Sequence, residues 1–158
     1  RAMRIAPLLC STVLGCALAG AAWAQSPPRV EFLNSGKVVG QGLPFSEAVR
    51  VGDTLYLSGE VGIVPGTMQL VPGGLKPQAR QAMDNIKTVL EAQGLDMRDL
   101  VKCTAMLADM SKWDEFNEVY KSYFHGRYPA RSAMGVNGLA IGAQVEVECL
   151  AAFGGAGR

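Results

Sequence analysis

The sequence predicts a two-layer α+β domain in which a mixed β-sheet carries two helices on one face. Three observations carry that prediction. Short β-prone runs and helix-periodic segments follow one another as strand, strand, helix, strand, helix, strand, strand. The helical segments each show an apolar stripe opposed by charge, and the later strand-like runs alternate apolar with polar residues. Finally, a chain of 158 residues with 49% hydrophobic side chains is long enough for one core and for little else.

Residues 1–24 read as a signal peptide rather than as part of that fold. Arg1 and Arg4 precede an uncharged run rich in Leu, Val and Ala that ends in Ala22-Trp23-Ala24, an A-x-A cleavage pattern before Gln25. A transmembrane anchor is the weaker alternative, because the apolar stretch is at the short end of the ~20 residues that span a bilayer. Lipid attachment at Cys16 is disfavoured by the poor fit of Leu14. Each reading sends the protein out of the cytoplasm, so a periplasmic or secreted location is expected, with no membrane contact after cleavage.

Residues 25–41, with Ser26-Pro27-Pro28 and several glycines, read as an N-terminal tail or edge segment with one extended piece at 30–33. The domain proper is expected over 42–153, with 154–158 as a C-terminal tail. Ala48-Val49-Arg50-Val51, the turn pair Gly52-Asp53 and Thr54-Leu55-Tyr56-Leu57-Ser58-Gly59 form a hairpin pattern. Pro65-Gly66 and Pro72-Gly73-Gly74 mark a loop. Pro77 then opens a helix whose apolar stripe is Ala79, Met83, Ile86, Val89 and Leu90, and Gly94 stops it. The alternating run 100–108 is expected as a strand reached by a helical crossover, parallel to an earlier one. Ser111-Lys112-Trp113-Asp114 resembles a capping box, and Trp113, Phe116, Val119, Tyr120 and Tyr123 follow at helical spacing as core packing. Residues 132–136 and 143–152 complete the sheet as a final pair of strands. Two helices cover only one sheet face, so an apolar open face would most simply be buried in a symmetric oligomer.

Charge and motifs exclude several functions. The chain has 15 Lys+Arg against 14 Asp+Glu, and removing Arg1 and Arg4 with the leader leaves 13 against 14. No basic surplus favours a nucleic-acid backbone. No phosphate loop, dinucleotide fingerprint, nucleophile elbow or zinc helix is present, so neither cofactor nor metal is expected. Cys103 and Cys149 lie in apolar alternating runs and are expected as small buried core residues rather than as a disulfide. The sole histidine, His125, reads as structural or solvated near the end of the second helix.

Arg131 and Glu146 are the informative pair. Alternation puts Glu146 and Glu148 on one face of the last strand, opposite Val145, Val147 and Cys149. Arg131, at the mouth of the neighbouring strand, is expected near one of those carboxylates, offering a cation for a substrate carboxylate beside a general base. The ordinary alternative is a surface salt bridge on a hairpin.

Gly42-Leu43-Pro44-Phe45 through Leu57-Ser58-Gly59, Gln78-Ala79-Arg80-Gln81-Ala82-Met83-Asp84-Asn85-Ile86, Phe116-Asn117-Glu118-Val119-Tyr120, Tyr128-Pro129-Ala130-Arg131-Ser132 and Val145-Glu146-Val147-Glu148 occur in order. As a set they resemble the Rid family of reactive-intermediate deaminases, also called the YjgF family, over nearly all of residues 40–153. The resemblance implies a chorismate-mutase-like fold assembled as a homotrimer with three clefts between subunits. It further implies hydrolysis of 2-imino or enamine acids to 2-keto acids and ammonia. Arg131 would hold the substrate carboxylate and Glu146 the attacking water, with further contacts at Phe45, Ser58, Gly59, Asn117 and Ala133. Phe45 and Ala133 depart from the family's usual Tyr and Cys, which alters the pocket's polarity and size. A non-catalytic trimer binding a small carboxylate through the same cleft is the alternative. Ribonuclease activity, also attached to the family, is disfavoured by the neutral charge and by the lack of a basic aromatic patch.

Overall fold

The structure, a computed structural model, describes residues 27–154. The expected signal peptide, its cleavage site, Cys16 and most of the C-terminal tail lie outside the described residues. Among those described, no helix is long and apolar enough to cross a membrane.

Among the described residues the strands and α-helices follow in the order β1 (Val30–Leu33), β2 (Ala48–Val51), β3 (Thr54–Leu57), β4 (Glu60–Val61), α1 (Leu75–Ala92), β5 (Leu100–Leu107), α2 (Trp113–Lys121), β6 (Ala130–Gly135) and β7 (Val145–Ala152). They form one mixed sheet in the order β1-β2-β3-β7-β5-β6, with β4 also paired to β7. The extended piece at 30–33 is the edge strand, antiparallel to β2, and Val38 just after it is fully buried.

The core lies between the sheet and the two helices. Leu55, Leu57, Cys103, Ala105, Leu107, Val145 and Val147 alternate onto that side and meet Met83, Ile86 and Leu90 of α1 and Phe116 and Tyr120 of α2. Helix α1 starts two residues before Pro77. It ends as its glycine stop predicts: Gly94 adopts φ 73°, its N–H reaches the Glu91 carbonyl, and the Leu95 N–H reaches that of Leu90. On the opposite sheet face Tyr56, Met134 and Glu148 remain exposed.

Strand β5 is reached by a helical crossover and runs parallel to the earlier β3, with β7 lying between them and antiparallel to both. Three expectations are corrected. Strands β6 and β7 are not a neighbouring pair, because β5 separates them and pairs in parallel with β6. Ser111 does not cap α2. Asp109 caps the short 3-10 turn before it by accepting from the Ser111 N–H, whereas α2 starts at Trp113 without a side-chain cap. Last, Cys103 and Cys149 form a disulfide. They are directly opposed on antiparallel β5 and β7 with Cα atoms 4.1 Å apart, close enough for a bridge without backbone movement.

Candidate active site

Two groups of candidate residues occupy different parts of the chain. The first is built around Glu146 on β7. Strand β4 pairs with β7 so that Val61 faces Glu146 and Glu60 faces Val147. The Glu146 carboxylate lies over Gly59 so closely that a Cβ at position 59 would run into its Oε1. A cavity of about 280 Å³ opens here, lined by Phe45, Glu47, Ser58, Gly59, Glu60 and Glu146, with Leu43, Met68 and Ile141 among its apolar walls. Ser58 is fixed at both ends: its hydroxyl donates to the Ser46 carbonyl at 2.7 Å and its N–H to that of Glu47 at 3.0 Å. Ile141 takes φ 51°, a left-handed conformation that is strained for a β-branched side chain and belongs to the cavity wall.

Burial, and then the charge of Glu148, hold the Glu146 carboxyl above the usual carboxylate range. A carboxylate with raised proton affinity is a stronger base toward water. Deeper in the same cavity, burial pushes Glu60 up to about 8, with the charges of Glu47 and Glu146 adding to the effect. Glu47 Oε2 accepts from the Ser35 N–H at 2.7 Å, whereas its Oε1 is buried without a partner.

The second group surrounds Arg131 on β6. Its guanidinium carbon lies 4.6 Å from the ring centroid of Trp113 and 4.5 Å from that of Tyr120, and Phe116 is next at 5.5 Å. Its Nη2 donates to Asn117 Oδ1 at 2.8 Å. Burial pushes the Tyr120 hydroxyl up to about 12, so this ring stays neutral and presents only its π-face to the cation. Ala133, two residues along the strand, shares that side. None of the four ion pairs among the described residues involves Arg131. The result is a rigidly seated, half-buried cation without a carboxylate counter-ion, suited to an anionic ligand.

Arg131 meets neither Glu146 nor Glu148 within one chain, contrary to the expectation that it lies close to one of these carboxylates. Register puts Arg131 beside Cys103 and in the row of Cys149, whereas Glu146 lies in the row of Met106. Arg131 stacks on α2 at the helix side of the sheet, and alternation turns Glu146 to the other side. Asn117, Arg131 and Ala133 are therefore brought together, as are Phe45, Ser58, Gly59 and Glu146, but the two groups stay apart. Sequence reasoning missed Glu47 and Glu60, and it assigned the aromatic stripe of α2 to the core alone. His125 is exposed beyond the end of α2 and contributes to neither group. Among the described residues no cluster of side chains fits a metal ion.

Comparison with known proteins gives concordant matches. A family profile described as Endoribonuclease L-PSP matches residues 39–153. The mouse protein named 2-iminobutanoate/2-iminopropanoate deaminase is 47% identical over 111 residues, which cover 70% of this chain and 82% of the relative. The human protein of the same name is 40% identical over 122 residues, covering 77% and 89%. Among solved structures, RidA from the Antarctic bacterium Psychrobacter sp. PAMC 21119 superposes with a TM-score of 0.73 at 37% identity, covering 78% of this chain and 99% of that one.

Proposed function

We propose that this chain, which belongs to the endoribonuclease L-PSP (Rid) family, hydrolyses 2-imino acids to 2-keto acids and ammonia in clefts completed between copies. The observation that carries the reading is the pair of half-sites: an unneutralised, aromatic-seated Arg131 and a Glu146 held over Gly59. Neither alone makes an imine hydrolase. A second copy docked on the open sheet face would bring the Arg131 group of one chain to the Glu146 group of another, and the homotrimer implied by the resemblance does this three times.

In such a cleft the substrate carboxylate pairs with Arg131 through two parallel N–H···O bonds, which fixes the imine carbon. Glu146 accepts a proton from water as the water oxygen bonds to that carbon, and the C=N π-pair moves to nitrogen. Glu146 returns that proton to the nitrogen, giving the neutral carbinolamine, and then accepts the hydroxyl proton and passes it to the same nitrogen, so that the C–N bond breaks, ammonia leaves and the oxygen forms the keto C=O. An imine is already electrophilic, so orientation and proton transfer suffice. Phe45 and Ala133 supply apolar wall rather than polar contacts, so the carboxylate and the imine carry recognition. The leader-like residues 1–24 and the Cys103–Cys149 bridge support an extracytoplasmic location, since disulfides persist in oxidising compartments.

The test follows decay of 2-imino acids generated in situ by an amino-acid oxidase and trapped by semicarbazide. The wild type is expected to accelerate loss of the imine. Arg131→Ala and Glu146→Ala are each expected to lower kcat/KM by about 10²-fold or more. Absence of acceleration across several imines, with 2-keto acids still bound through Arg131, would replace turnover by simple capture.

A further inference from the structure

The cavity beside Glu146 holds more carboxyl groups than imine hydrolysis uses. Glu47 and Glu60 are 2% and 3% exposed, and both line it together with Glu146. Burying carboxylates is costly unless a cation or hydrogen-bond donors compensate them. The compensation here is incomplete: Glu47 Oε1 has no partner, and no Lys, Arg or His lines the cavity among the described residues. Apart from Ser58 the rest of the wall is apolar, with Leu43, Phe45, Met68 and Ile141 able to enclose an alkyl chain. A largely apolar cavity with an unpartnered carboxylate oxygen of Glu47 in its wall, beside Glu60, matches one ligand chemistry, an aliphatic stem with a cationic head.

We propose that this cavity is a side-chain subsite selecting 2-imino acids with a guanidinium or ammonium group at the end of an aliphatic side chain, with Glu47 and Glu60 receiving the cation. The inference deepens the imine-hydrolase reading and rests on it for the orientation of the substrate. With its carboxylate on Arg131 and its imine carbon at Glu146, the substrate directs its side chain past Phe45 toward Glu60. In the free protein burial, with the charges of Glu47 and Glu146, pushes Glu60 up to about 8, so it is held toward its neutral, protonated form in place of a cation partner. An incoming cation takes over that role and releases the proton. The charged groups facing Glu60 are Glu47 and Glu146, with Glu148 acting through Glu146. Helix α1 packs the uncharged Gln78 and Asn85 against the β4 segment, Asn85 donating to the Val61 and Ile63 carbonyls.

The experiment compares imines made in situ from arginine and from leucine. The wild type is expected to prefer the arginine-derived imine by about tenfold or more in kcat/KM, the worth of one charge-assisted hydrogen bond. In Glu60→Gln the ratio of the two values is expected to fall toward one. Equal use of both imines by the wild type overturns this inference and leaves the hydrolase intact. If neither imine is hydrolysed, the hydrolase reading falls, and calorimetry with butylguanidine near pH 7 tests the cavity by itself. Binding with proton release upholds the cation site, and absence of binding overturns it.

Discussion

The Glu146 carboxylate fills the space in which any residue other than glycine at position 59 would carry its Cβ. Gly59 is not in the left-handed region, so its backbone accepts alanine and the consequence falls on the carboxylate. Gly59→Ala is therefore expected to displace Glu146 and lower kcat by about 10²-fold, the usual cost of misplacing a reacting group by an ångström. The melting temperature and circular dichroism should stay near those of the wild type. Wild-type turnover in this variant would show that Glu146 need not sit where the structure puts it. Residues such as Glu146 were legible because alternation fixes which side of a strand each side chain leaves from. Glu60 was not, since an acid just after Ser58-Gly59 reads as the start of a loop. Only the pairing of β4 with β7 buries it.

Elements with strong local periodicity were readable, whereas their neighbours were not. The alternation of β5 marks it as a strand, and the stripe of α1 with its glycine stop marks the helix. That β7 enters between β3 and β5 depends on pairing between segments far apart in sequence, which no local pattern encodes. The disulfide shows the same division. Each cysteine was placed on the buried side by its own strand, but only the β5–β7 register sets the two side by side. The bridge joins residues 46 positions apart. In the chain-entropy account a loop of this size stabilises the fold by about 4 kcal/mol, so the double variant Cys103→Ala/Cys149→Ala should lose that order of stability in urea unfolding. A loss below ~1 kcal/mol would mean that the cross-link constrains an unfolded chain already compact in this region.

At the scale of the whole molecule, the separation of Arg131 from Glu146 decides what an oligomer must do. A heterologous ring makes each cleft from two different surfaces, one from each neighbour. Arg131→Ala spoils the first surface and leaves the second intact, and Glu146→Ala does the reverse. Co-refolding the two inactive variants in equal amounts should then restore activity. Random assembly puts about three quarters of trimers in mixed composition, and each of these has one of its three clefts lined by both wild-type residues. The expected recovery is thus about one quarter of the wild-type rate per chain under the same ring geometry. Arg131→Ala/Glu146→Ala mixed with wild type controls for subunit exchange, since every cleft that uses a double-mutant surface is inactive. Recovery near one quarter would locate the two groups on different copies. No recovery, with mixed trimers verified by native mass spectrometry, would require Arg131 and Glu146 of one chain to serve a single cleft, and so a rearrangement of β6 against β7 on assembly.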